Sequence, residues 1–211
     1  FNGVMTMSDL HNTKEEILET ALKLFAQNGY EATSVSDIAE KIGISKGALY
    51  KHYHNKRDIF ESILKRMEQT DADKADANNV PSDELAQAGE KEYAQTSLED
   101  VLGFSKEMFR YWCEDEFAAN FRRMLTIEQY RCEEMMQLYQ QYLGKGPIAY
   151  LADILSEQGW EKPQEKAVIC YAPMFMLYSV YDEAQDKKAV LSLLDKCLDD
   201  IYQNLQKKEG F

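Results

Sequence analysis

The sequence predicts an all-α protein: a small N-terminal three-helix head built around a helix-turn-helix, then a larger helical body. Three observations predict this. Apolar residues recur at helical spacing along most of the chain, and alternating β-branched runs are few. Only four prolines and ten glycines punctuate the 211 residues. Finally, two short periodic runs between Ser34 and Arg57 are separated by a glycine, each with a capping residue in front. The head is expected over residues 9–66 and the body over 67–211.

The head reads in order. Thr13 opens a helix that buries Ile17, Leu18, Ala21, Leu24 and Phe25 and ends at Asn28-Gly29. Ser34 and Asp37, three apart, are the hydroxyl and acid of a capping box. Val35, Ile38, Ala39 and Ile42 repeat behind them, and the small Ala39 lets a second helix cross closely. Gly43 ends this run, where a left-handed residue is needed, and Ile44 anchors the turn. Ser45 caps the next helix, expected to hold Lys46 to Tyr53. Asn55 caps a long helix opened by Lys56 and Arg57.

On the helix after Ser45, a rotation of about 100° per residue puts Lys46, Gly47, Tyr50 and Lys51 on one arc. Leu49 and His52 fall off it, His52 at a flank or in packing. Charge singles out the same region. Residues 1–66 hold nine basic and nine acidic residues, leaving 15 of the 24 basic and 28 of the 37 acidic residues to the rest. Lys41 to Arg57 nevertheless holds five basic residues and no acid, and all three histidines lie in the head. In a chain of net charge −13, an acid-free window of that kind suits a polyanion. Lysines and a tyrosine hydroxyl reach phosphates, and a glycine lets backbone approach a groove.

The stretches K-E-E-I-L-E-T-A-L-K-L-F-A-Q-N-G-Y-E-A-T-S, S-D-I-A-E-K-I-G-I-S-K-G-A-L-Y-K-H-Y and N-K-R-D-I-F resemble the DNA-binding domain of the TetR family of repressors, from Thr13 to about Leu64. The resemblance covers about a quarter of the chain and implies roles residue by residue. Ser34 touches phosphate. Ser45, Lys46 and Gly47 open a recognition helix against the major groove. Tyr50, His52 and Tyr53 occupy the family's L-Y-x-H-[FY] pattern, in which Tyr50 and His52 meet the DNA backbone and Tyr53 packs. Lys51 stands at a variable position and is the candidate base reader. Lys56 meets a phosphate at a helix N-terminus. Thr33 reads either way, as a DNA contact or as a structural residue.

In the body, residues 70–96 are polar and read as a loop followed by an amphipathic helix from Ser82. Ser97 to about Cys113 is a helix with Leu98, Val101, Leu102, Ser105, Met108, Phe109 and Trp112 on one side. A long helix is expected from Glu116 to Leu143, ending at Gly144-Lys-Gly-Pro147. Another runs from Pro147 to Gln158 and stops at Gly159. Pro163 starts the first of two terminal helices, which Pro173 is expected to interrupt, freeing a carbonyl near Ile169. The second begins near Asp186.

Aromatic and methionine residues crowd these helices. Most are ordinary core. In a TetR-like body such residues also line a drug-sized cavity, and the candidates are Phe104, Met108, Phe109, Trp112, Phe121, Met124, Tyr130, Tyr139, Tyr171, Met174, Phe175 and Tyr178. The expected ligand is small, apolar or aromatic, and neutral or cationic, because the acidic body repels anions. Arg110, Arg122, Arg123, Glu128 and Arg131 read either as a solvated face or as ligand partners. Along the last helix Val190, Leu194, Cys197, Ile201 and Leu205 follow at steps of three or four, with Leu198 widening the stripe. They are the expected homodimer interface together with the preceding helix, which is apolar nearly all round from Ala167 to Tyr181 and suits burial on several sides; two such helices from each chain form a four-helix bundle.

Other classes find little support. The cysteines (Cys113, Cys132, Cys170 and Cys197) form no C-x-x-C, and no histidine follows residue 54, so no metal and no cofactor is expected. The longest uncharged run, Ala167 to Tyr181, has 15 residues and holds Pro173, short of a membrane span. No signal peptide is evident. Phe1 is an unusual first residue; the natural start is expected at Met5 or Met7, with Phe1–Val4 foreign to it. No phosphate loop or nucleophile–base spacing suggests an enzyme. The resemblance implies a cytoplasmic, nucleoid-associated homodimeric repressor on a palindromic or pseudo-palindromic duplex operator, released by a small ligand. The competing reading is a DNA-bound structural or cell-division factor on the same fold, without a ligand.

Overall fold

The computed structural model describes residues 7–78 and 96–209, with side chains from 12 to 78 and 96 to 207. The described residues form ten helices and no strand. They are α1 (Met7–Asn28), α2 (Val35–Lys41), α3 (Lys46–Leu49), α4 (Lys56–Ala77), α5 (Leu98–Glu114), α6 (Glu116–Glu128), α7 (Glu133–Leu143), α8 (Lys145–Glu157), α9 (Pro163–Glu183) and α10 (Lys187–Glu209). The chain divides into two compact units. The first holds residues 1–69 together with Asn120–Met136, and the second holds Thr70–Ala119 and Gln137–Phe211.

The first unit is organised by the apolar stripe of α1. Ile17, Leu18, Ala21, Leu22 and Phe25 are buried, and α2 packs against α1. Val35, Ile38 and Ala39 from α2, Leu49 from α3, and Ile59, Phe60, Ile63 and Met67 from α4 are buried as well. In the second unit α9 packs on α8, α10 and α5, and α10 also packs on α5. The capping box that opens α5 joins Ser97 and Asp100 in both directions, as at α2.

Several boundaries differ from the sequence reading. Helix α1 begins at Met7 rather than Thr13. Helix α4 continues into the stretch expected to be a loop and ends at Ala77. There Ala75 is buried and the Asn78 amide donates to the Lys74 carbonyl at 2.9 Å. The helix expected from Ser82 lies outside the described residues. Helix α3 stops at Leu49, although turn hydrogen bonds carry the backbone on to Tyr53. The single long helix expected over 116–143 is two, α6 and α7. The Gln129 amide donates to the Thr126 carbonyl at 2.9 Å, and the Arg131 N–H donates to Glu128 in a tight turn. Glu133 and Glu134 then favour a fresh helix start. Helix α9 runs from Pro163 to Glu183 with Pro173 inside it, so the expected interruption does not end the helix.

No helix among the described residues is long and apolar enough to cross a membrane.

Candidate DNA-binding site

The site is held by three caps and one glycine. The Ser34 hydroxyl accepts from the Asp37 N–H at 3.2 Å, and the Asp37 carboxylate accepts from the Ser34 N–H at 2.7 Å. The Ser34 backbone and side-chain hydrogen bonds hold the exposed Asp37 carboxyl below the usual carboxylate range. The Ser45 hydroxyl accepts from the Ala48 N–H at 3.1 Å. The Ser45 oxygen therefore faces its helix, and its own proton is left to donate outward, for example to a phosphate. At α4 the Asn55 side chain accepts from the Asp58 N–H at 2.9 Å, and Asp58 accepts from the His54 N–H at 2.9 Å.

Gly43 closes α2 with φ +73, its N–H donating to Glu40 at 3.1 Å and the Ile44 N–H donating to Ala39 at 3.0 Å. That pair of bonds is the Schellman turn. A Cβ added at Gly43 meets nothing within 4 Å, so the demand for glycine there is one of backbone conformation and not of space.

Beyond this turn the outward arc matches the expected one. Ser34, Ser45, Lys46, Gly47 and Lys51 are exposed and Tyr50 is 42% exposed, while Leu49 is buried and His52 half-buried. The Lys46 ammonium lies over the Tyr50 ring at 5.8 Å. Gly47 has a helical neighbourhood with open space, since the nearest atom to an added Cβ is the Ser45 hydroxyl at 3.9 Å. A glycine in a helix disfavours it relative to alanine. Packing within the fold therefore gives no reason for glycine here.

Three residues behave differently. Thr33 is 1% exposed, and its hydroxyl donates to the Gly29 carbonyl at 2.9 Å and the Leu24 carbonyl at 3.3 Å. Of the two readings open for it, the structure places it as a structural residue. Tyr53 is buried, its hydroxyl donating to the Lys14 carbonyl at 3.4 Å, with the Lys14 ammonium 5.2 Å from its ring centre. Burial pushes its phenol up to about 12, so it stays neutral. Lys56 is half-buried and donates to the Tyr30 carbonyl at 2.8 Å and the Glu31 carbonyl at 3.4 Å, above the Tyr30 ring at 4.3 Å. It thus clamps the turn after α1 as well as lying at the start of α4.

Sequence reading missed a second group in this unit. Tyr30 packs on Phe25 and Phe60, each ring centre 5.0 Å away. Arg57 and Glu134 form a two-pronged pair at 2.8 and 2.6 Å, which holds the Glu134 carboxyl down and the Arg57 guanidinium up. Glu128 is buried and accepts from the Tyr30 N–H at 3.1 Å. The nearest signal for these contacts was the N-G-Y turn itself; nothing marked Glu128 or Glu134 as its partners.

The candidate ligand residues are only partly brought together. In the second unit Phe109 stacks on Tyr178 at 5.0 Å, Phe104 lies 6.5 Å from Tyr150, and Trp112 lies 6.1 Å from Tyr142. The Tyr171 hydroxyl donates to the Leu143 carbonyl at 2.9 Å. Met174 is buried, and Met108 and Tyr139 are half-buried. Phe121 and Met124 are buried in the first unit, Tyr130 is 84% exposed, and Phe175 faces outward. Arg110 is engaged by Asp195 at 2.6 and 2.8 Å. Arg122, Arg123, Glu128 and Arg131 all belong to the first unit.

The expected interface stripe also faces inward for the most part. Val190, Leu194, Leu198 and Leu205 are buried within the protomer, where α10 packs on α5 and α9; Cys197 and Ile201 are half-buried. Exposed apolar side chains sit on α9 instead: Val168, Ile169, Phe175, Met176 and Val180, with Leu193 on α10. Helix α9 is apolar on both sides, and amphipathic periodicity alone could not tell which side a neighbour covers.

Two short capped helices joined by a glycine turn, with an exposed acid-free arc on the second, define a helix-turn-helix DNA-binding domain. Residues 17–63 match the family described as bacterial regulatory proteins, tetR family. The chain is 28% identical over 139 residues to the probable transcriptional regulator ArpR of Pseudomonas putida, covering 64% of this chain and 60% of that one. It is 30% identical over 129 residues to the regulator AcrR of Shigella flexneri, covering 61% and 53%. The chain thus spans between half and two thirds of the length of these curated relatives. Among solved structures, a TerR/AcrR-family transcriptional regulator from Aquifex aeolicus VF5 has a TM-score of 0.67 at 18% identity, covering 90% of this chain and 99% of that one. The regulator FadR of Bacillus subtilis in complex with stearoyl-CoA has a TM-score of 0.61 at 20% identity, covering 89% and 96%. The match to the tetR family thus lies within the helix-turn-helix head, running from inside α1 into α4.

Proposed function

We propose that the protein is a homodimeric repressor that binds a two-fold duplex operator and is released by a small ligand held in its second unit. The observation that carries the DNA-binding part is the exposed, acid-free arc of Ser45, Lys46, Gly47, Tyr50 and Lys51, with the exposed Ser34 beside it. Ser34, Ser45, Lys46 and Tyr50 take phosphates, Gly47 admits close approach, Lys51 reads a base edge and His52 lies at the flank. Lys56 contributes charge at the start of α4 while bracing the turn at Tyr30.

The dimer follows from the exposed side of α9. At about 100° per residue, Val168, Ala172, Phe175, Met176 and Ser179 share one face. A mostly apolar exposed face of this kind, on a helix already buried on its other side, fits a second copy of itself. Two-fold readers place their heads about 34–36 Å apart on the duplex, so pairing is what a palindromic operator demands.

The ligand proposal rests on the aromatic residues of α5 and their partners from α7, α8 and α9. The apolar part of that reading is supported by the acyl chain of the stearoyl-CoA bound to FadR, a protein of the same fold, whose anionic CoA head has no counterpart in the reading. An apolar chain or flat aromatic body, neutral or cationic, suits this lining and the acidic second unit. The protein acts in the cytoplasm, on the nucleoid. Selection of duplexes from a random pool, followed by anisotropy titration, tests the reading. Ligand classes are then ranked by their release of the selected duplex. Failure to enrich any duplex overturns the DNA-binding part, and release by neither a flat aromatic nor a hydrophobic cation, or release by anionic ligands alone, overturns the ligand part.

A further inference from the structure

The described residues include three glycines with positive φ, Gly29, Gly43 and Gly159. Each follows the end of a helix. After Gly43 the Ile44 N–H donates back to Ala39 at 3.0 Å, and after Gly159 the Trp160 N–H donates back to Leu155 at 3.0 Å. Both turns are thereby closed within their own helix. The turn after α1 is built differently. The Gly29 N–H donates to Phe25 at 2.9 Å, but the next N–H, that of Tyr30, donates to the Glu128 carboxylate at 3.1 Å, 98 residues away in sequence.

Glu128 is 1% exposed. A buried carboxylate persists only where partners compensate its lost hydration. Here they are the Tyr30 N–H and the Arg131 guanidinium, 3.5 Å from the same oxygen. The fit is tight: a Cβ added at Gly29 lies 2.6 Å from that oxygen and 3.2 Å from Arg131. The turn is gripped from its other side by Lys56, on the Tyr30 carbonyl at 2.8 Å. The Arg57–Glu134 pair makes a second attachment between α4 and the same 120–136 segment. Helix α6, which ends in Glu128, begins in residues assigned to the second unit.

We infer that Glu128 is a positioning residue for DNA recognition: a latch that fixes the turn opening the helix-turn-helix to the end of α6. It touches no DNA. Its effect is to limit the head's freedom relative to α6, which matters when two heads must meet two half-sites at a set spacing and matters little for one head on one half-site. The inference rests on the DNA-binding reading above.

The test uses the full chain and two duplexes: one selected by the unmodified protein from a random pool, and the same duplex with one half-site scrambled. Glu128→Leu leaves the Tyr30 N–H without its acceptor and is expected to lower affinity for the two-site duplex about tenfold, leaving the single-site duplex within about twofold. Glu128→Gln, whose amide oxygen can still accept, restores most of the loss. Equal losses on both duplexes would mean a merely structural role, and no loss on either would mean no role; both overturn the inference. Hydrogen exchange at the Tyr30 amide of the unmodified protein is independent of variant folding and of DNA. Protection is expected there, and exchange as fast as in an open turn overturns the latch. If the unmodified protein enriches no duplex, the DNA-binding reading fails, while the amide measurement still decides whether the latch exists.

Discussion

Gly47 separates the needs of the fold from the needs of recognition at a single atom. Because an added Cβ meets open space, Gly47→Ala is expected to raise the stability of the free protein by about 0.5 kcal/mol. The same change should weaken duplex binding, because the methyl stands where backbone must approach a groove. Thermal melts and anisotropy titrations on one sample check both signs; a variant that gains stability and binds equally well would remove the groove role. Lys46→Ala should lower the slope of log affinity against log salt by about one, uniformly across duplexes. Lys51→Ala should instead change which duplexes are selected. Lys56→Ala is expected to lower the melting temperature as well as affinity, since its ammonium holds the Tyr30 and Glu31 carbonyls. Much of this site was legible in the residues, because caps, glycine and acid-free window are local features. Thr33 and Lys56 were less so. Whether a hydroxyl or an ammonium points outward or onto a carbonyl depends on a neighbouring helix that no local spacing specifies.

At the scale of the element, α2 is a short helix that depends on its ends. Gly43→Ala should cost about 1–2 kcal/mol through its positive φ alone, there being no clash to add. Ser34→Ala should cost about 1 kcal/mol as a lost cap. The capping acids give these ends an acid limb. The Ser34 hydrogen bonds hold Asp37 below the usual carboxylate range, and the Ser97 side chain and backbone do the same for Asp100. A depressed carboxyl contributes stability above its unfolded value and loses it as pH falls through the folded one. Asp100→Asn should therefore flatten the fall in stability below the ordinary carboxylate range while mattering less near pH 3, as acid-titrated melts will show. Helix starts marked by capping serines were read correctly at Ser34, Ser45 and Ser97. The break between α6 and α7 was not, because Gln129 to Cys132 carries neither glycine nor proline. The turn is held by a side-chain amide and by the contacts of Glu128, which are tertiary.

At the scale of the whole molecule, the all-α class, the placement of the head and the course of the terminal helices were all written in periodicity. Which side of an apolar helix faces a partner was not. The last helix supplied a regular stripe that the protomer buries for itself, whereas α9, apolar all round, leaves Met176 70% exposed. Met176→Glu should therefore dissociate a dimer while leaving the protomer folded, and Leu194→Glu should unfold it; sedimentation and melts of the two variants distinguish these outcomes. The account as a whole rests on two heads meeting one duplex. Its most direct test is the mass of the complex with a selected duplex, by light scattering coupled to size exclusion. Two chains of 24.4 kDa per duplex is the predicted result; a single chain on a fully bound duplex, or no complex at all, would contradict it.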